Sequence, residues 1–166
     1  MHLLHFLFWL ILLGAIIALG VRINRMVGRR ETERNIIKSQ QVVNASVNEV
    51  IRDMAQELNL EIPQRVTSTL VANIWGYNVM AYEFKFNYEV AQAIVPMRQK
   101  INTGLGRYTL AHEIISVDEA VQPIIVTDLW YDQLKPVLHM DVAYVSTEQT
   151  AAYLRDLKKL NQPFQT

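Results

Sequence analysis

Cysteine is absent, and its absence removes disulfides, thiolate zinc sites and a cysteine nucleophile. Charge is absent from the first twenty residues, MHLLHFLFWLILLGAIIALG, which hold no Lys, Arg, Asp or Glu. A basic start is missing as well. A secretory leader needs one, together with a shorter apolar region and a small-x-small cleavage site. Here only His2 and His5 could carry charge before the first arginine, and Ala18-Leu19-Gly20 is the nearest cleavage context. Cleavage is therefore the weaker reading. G-x-S-x-G, H-E-x-x-H and P-loop patterns do not occur, so the commonest hydrolase, zinc-protease and nucleotide-binding signatures are missing. Gly104-Leu105-Gly106 lacks the further glycine and the preceding strand of a dinucleotide fingerprint, and reads as a helix stop.

What is present begins with that apolar run. At ~1.5 Å per residue, Leu3 to Ile23 makes a helix of roughly 30 Å, the thickness of a bilayer's hydrocarbon core. Arg22, Arg25, Arg29 and Arg30 follow at once. Lys and Arg concentrate on the cytoplasmic side of a span, so the chain beyond about residue 24 is expected in the cytoplasm. These four arginines are the expected membrane-surface residues, each gaining on the order of 1 kcal/mol beside anionic headgroups. The expected location is the cell membrane, crossed once by an uncleaved signal-anchor, with lipid as the first partner. Gly14 and Ala18 form one small-xxx-small pair through which two such helices could approach.

The formal charge of zero hides an asymmetry. Residues 1–39 hold six Lys or Arg against Glu31 and Glu33, which leaves ten basic and fourteen acidic residues beyond. The anchor region is basic and the domain mildly acidic. That balance argues against nucleic acid as a partner, because a phosphate-contacting face needs clustered Lys and Arg. Arg98, Lys100 and Arg107 are the basic residues a nucleic-acid tether would use. Asn44-Ala45-Ser46 spells a glycosylation acceptor, but a cytoplasmic segment never meets that chemistry.

Four segments follow from the patterning: a transmembrane anchor at 1–24, a basic juxtamembrane and amphipathic helical spacer at 25–60, an α+β domain at 61–160 and a mobile tail at 161–166. In the spacer Ile36, Val43, Val47, Val50 and Met54 recur at helical spacing, with Gln40 in the remaining seam position. A helix from about Glu31 to Leu58 is expected, continuous with the anchor or hinged near Gly28, and packed on its own domain rather than on a second copy. Asn59 and Pro63 close it. Residues 67–75 and 79–86 read as a hairpin around Gly76-Tyr77-Asn78, since Tyr82, Phe84 and Phe86 alternate with Glu83, Lys85 and Asn87. Asn87 is the expected N-cap of a helix carrying Val90, Ile94, Met97, Ile101 and Leu105, with Pro96 kinking or restarting it and Gly104 or Gly106 stopping it. Strands are expected over 107–117, 123–131 and 136–145, joined by short turns that favour antiparallel neighbours. A last helix, capped by Ser146 or Thr147, presents Ala151, Leu154 and Leu157. The fold class is α+β: an N-terminal transmembrane helix, then a small domain with a mostly antiparallel sheet covered by helices on one face.

Candidate chemistry is sparse. If residues around Asp132 form a hairpin turn, Asp128 falls near His139, with Asp141 two residues along the same face, and three such ligands suit a divalent metal. The plainer reading puts Leu138, Met140, Val142 and Tyr144 in the core and leaves His139 and Asp141 on the solvent side. No cofactor is implied. Trp75, Tyr77, Trp130 and Tyr131 cluster at expected strand ends, and aromatics so placed anchor protein partners. The expectation is a non-enzymatic accessory protein whose cytoplasmic domain binds a protein partner or self-associates. Its plan resembles that of small accessory subunits of bacterial secretion, conjugation or envelope machines, a likeness of architecture alone. A metal-dependent enzyme using Asp128, His139 and Asp141 and a nucleic-acid-binding accessory are the alternatives.

Overall fold

The computed structural model describes residues 2–71 and 79–160, with side chains within 2–32 described at Trp9, Ile17, Leu19 and Arg22 only. Two compact units divide the chain, residues 1–37 and residues 38–166. The described part of the first unit is helical throughout and belongs to α1, which runs unbroken from His2 to Leu58, so neither Gly28 nor Glu31 marks an element boundary. Among the described residues no helix is long and apolar enough to cross a membrane. The side chains on which the expected span rests lie almost wholly outside them, as do those of Arg25, Arg29 and Arg30 and the tail at 161–166.

The second unit is α+β, a curled antiparallel sheet with helices. Its strands are β1 (Leu60–Glu61), β2 (Thr69–Leu70), β3 (Ala81–Tyr88), β4 (Ile124–Tyr131) and β5 (Val137–Tyr144), and its remaining helices are α2 (Ile94–Ala111) and α3 (Glu148–Leu160). The order is β1-β3-β5-β4, with β2 also paired to β3. The expected hairpin survives as the pairing Thr69↔Glu83 and Leu70↔Tyr82, while its turn lies outside the described residues.

Strand alternation divides the sheet into two faces. On the first, Tyr82, Phe84 and Phe86 of β3 stand opposite Val142, Met140 and Leu138 of β5, all buried. The C-terminal part of α1 covers this face with Val43, Val47, Ile51 and Leu58, and Ser39 hydrogen-bonds the Tyr82 hydroxyl. Asn59, at φ 52°, ends α1 in the left-handed conformation that asparagine tolerates. α2 adds Met97, Ile101 and Leu105. It lies so close to α1 that a Cβ on Gly104 would sit 2.7 Å from Val50 Cγ1. That glycine is a packing residue rather than a stop, and α2 runs on through Gly106.

The helix ends instead at His112, with Glu113 left-handed at φ 54°. The Glu113 N–H donates to the Leu110 carbonyl and the Ile114 N–H to that of Thr109, the paired bonds of a Schellman stop. The strand expected over 107–117 is therefore the last turn of α2 and a loop, in which Leu110 and Ile115 are exposed. Asn87 is no N-cap. It extends β3, pairs with Val137, and donates to Glu61 Oε2 at 3.2 Å. α2 begins seven residues later, at Ile94, with Pro96 in its first turn, where a missing N–H breaks no helical bond.

α3 departs from the one-sided arrangement. Its Ala151 and Leu154 pack with Ala143 and Val145, and with the half-buried Ile125, on the second face. Thr147 caps it, accepting the Thr150 N–H at 3.2 Å, and Thr150 Oγ1 accepts the buried Met80 N–H at 2.9 Å. The first residues of the outer strand β4 are closed by side chains. Asn102 Oδ1 accepts the Val126 N–H at 2.7 Å, and Gln122 Nε2 donates to the Ile124 carbonyl at 2.6 Å.

Candidate functional site

α3 covers only one end of the second face, over Ala81, Ala143 and Ile125. Beyond that end the face carries two rows of polar residues. Across the first row Glu83 (β3), Asp141 (β5) and Asp128 (β4) stand side by side; across the second stand Lys85, His139 and Trp130. The rows owe their shape to a bulge. Val126 pairs with Val142, but Asp128 pairs with Asp141, so one extra residue, Thr127, enters β4. Without it Asp128 would oppose Met140 on the core face. With it Asp128 and Trp130 join the polar face, while Leu129 and Tyr131 turn to the core.

His139 is the hub of this face. Its Nδ1 lies 2.7 Å from Glu83 Oε1, and its Nε2 lies 3.6 Å from Asp132 Oδ2. The Trp130 indole stacks on the imidazole at 5.0 Å and 17°. Lys85 Nζ is 3.3 Å from the other Glu83 oxygen. Asp132 is held by the turn after β4, where its Oδ1 accepts the N–H groups of Leu134 and Lys135 at 2.8 and 2.9 Å. Those two bonds, with His139 nearby, hold its carboxyl below the usual carboxylate range.

Asp141 is less well served. Its Oδ1 is buried without a hydrogen bond among the described residues, and burial, followed by the charges of Glu83 and Asp128, pushes its carboxyl up to about 6. His139 opposes that shift. Tyr153 of α3 borders the same carboxylates, and its phenol is raised first by burial and then by Asp141. Four carboxylates thus face one lysine and one histidine beside an exposed indole. Such a surface attracts a cationic group electrostatically and offers an aromatic face to stack on it.

Asp128, His139 and Asp141 do share one face, as their spacing predicts. Asp128 lies opposite Asp141 rather than His139, and the His139 Nδ1 is already engaged by Glu83. Among the described residues no three His, Asp or Glu side chains are placed to hold a metal ion. The expected aromatic cluster divides: Trp75 and Tyr77 lie outside the described residues, Trp130 is on the polar face, and Tyr131 points the other way. There its ring meets Tyr88 edge-on at 4.6 Å and its hydroxyl donates to the Gln92 carbonyl at 3.1 Å. Arg98, Lys100 and Arg107 form no single patch. Lys100 pairs with Glu57, and Arg98 lies roughly 200° around the helix from it at ~100° per residue.

Glu83 and Asp132 were not linked to the site by spacing. The alternation of Glu83 with Tyr82 and Phe84 signals its polar face but not its neighbour, because β3 meets β5 only across a long stretch of chain. No protein-family model, curated protein or solved structure matches the chain.

Proposed function

We propose that the chain is anchored in the cell membrane by one pass over residues 1–24 and displays its α+β domain on the cytoplasmic side, where it docks a protein partner as an accessory of a membrane-associated assembly. The anchor is supported by the charge-free run, by the four arginines after it, and by the exposure of Trp9, Ile17 and Leu19. The docking role is carried by one observation: Trp130 stands 37% exposed over His139, beside carboxylates that have not found full compensation within the fold. A cationic partner side chain stacked on the indole and paired with Asp128 or Asp132 would supply it. Tethering to a surface raises the effective concentration of such an interface near other membrane components.

The test is crosslinking of the full chain in intact membranes. Wild type is expected to give a discrete crosslinked product that falls at least tenfold in Trp130→Ala and in the charge reversal Asp128→Lys. Equal products from all three chains would overturn the docking face. A product of twice the chain's own mass would identify a second copy as the partner. Digestion of the domain by protease added outside sealed cells would overturn its placement.

A further inference from the structure

A groove of about 390 Å3 lies between α2, α3 and the outer strand β4. Its wall is apolar, with Ile125 and Val126 from the strand and Leu154 and Leu157 from α3, and among the described residues no carboxylate lines it. Two cations flank it, Arg98 from α2 and Lys158 from α3. Among the described residues neither forms an ion pair or a hydrogen bond, whereas Lys85, Lys100, Arg155 and Lys159 are all paired. The backbone polar groups alongside are already engaged: the Val126 N–H donates to Asn102 Oδ1, and the Asn102 carbonyl accepts from Gln122 Nε2. Thr127 is also satisfied, donating to the Asp141 carbonyl at 3.2 Å. What the groove leaves unspent is apolar surface and two positive charges.

We propose that this groove binds a medium-chain monocarboxylate, with its alkyl chain against Ile125, Val126, Leu154 and Leu157 and its carboxylate between Arg98 and Lys158. The volume falls in the range of small-molecule sites. Complementarity of charge selects an anion, because among the described residues neither cation has an ion-pair partner, and the apolar wall selects a chain over a compact ion. The site shares no residue with the cluster of Glu83, Asp128, Trp130, Asp132, His139 and Asp141 and does not depend on the docking role.

Octanoate is the probe, titrated into the full chain in lipid nanodiscs while the methyl resonances of Ile125, Leu154 and Leu157 are followed. Saturable shifts at these methyls are expected. Hexanoate, two methylenes shorter, should bind roughly fifteenfold more weakly, since each methylene buried is worth about fourfold. Octanol, which has the chain without the charge, should bind at least tenfold more weakly. Arg98→Gln with Lys158→Gln should weaken octanoate at least tenfold and leave octanol unchanged, with the unliganded methyl spectrum reporting that the fold is intact. Absence of saturable shifts at the groove methyls would overturn the proposal, as would octanol matching octanoate. The octanol and hexanoate arms decide the matter even if the double variant fails to fold.

Discussion

On one face of the sheet Tyr82, Phe84, Phe86, Leu138, Met140 and Val142 are sealed beneath helices; on the other, one residue along the same strands, Glu83, Asp128 and Asp141 stand side by side, and among the described residues only Glu83 of the three has ion-pair partners. The first face is apolar, closely packed and closed to water, which is where a small domain gains most of its stability. The second is apolar only where α3 lies on it. Folding is carried by the first face, and that freedom lets the second hold a carboxylate in an unfavourable setting. Perturbed ionisable groups gathered at an exposed surface are a mark of sites that meet something other than the fold itself.

Three substitutions sharpen this contrast. Phe84→Ala removes a 1%-exposed ring from the first face and is expected to cost about 3–5 kcal/mol, read from the shift in a urea unfolding curve. Asp141→Asn on the second face should act in the opposite direction. Its carboxyl rises from the usual 3.8 to about 6, so between those values the folded chain holds a proton that the unfolded chain releases, and wild-type stability grows as pH falls from about 7 to about 4. The variant should be more stable than wild type by about 1–2 kcal/mol near neutral pH, solvent screening reducing the full value of the shift, with the gain vanishing by about pH 4. Asp132, whose carboxyl is lowered, contributes with the opposite sign, and its contribution fades in acid in both chains. A variant less stable than wild type at neutral pH would break the contrast. Gly104→Ala tests the helical cover of the first face. Crowding against Val50 and Met54 costs about 1–3 kcal/mol and better helix propensity returns about 1, for a net loss of about 1 kcal/mol in thermal or urea unfolding.

Much of the architecture is written in local periodicity. The β4–β5 hairpin, the stripe Val43, Val47 and Val50 of α1, and the buried pair Ala151 and Leu154 of α3 all follow from spacing, because each needs only its own segment. What spacing does not carry is contact between distant segments. Gly104 looks like a stop until Val50 is seen against it, and residues 107–111 look strand-like until α2 is seen to continue. Asn87 has the chemistry of a cap, yet the ladder with β5 claims it for β3. Asp128, His139 and Asp141 are legible as a group from the hairpin alone. Glu83 joins them only through the insertion of β5 between β3 and β4, and Trp130 parts from Tyr131 simply because neighbours in a strand face opposite ways.

The amides of Asn102 and Gln122, spent on Val126 and Ile124, have a consequence for how copies or partners can join this molecule. An outermost strand ordinarily invites another chain to zip alongside it through main-chain ladders. Over this stretch the inviting groups are occupied, so accretion by that route is blocked, and recognition there must be read from side chains rather than from backbone.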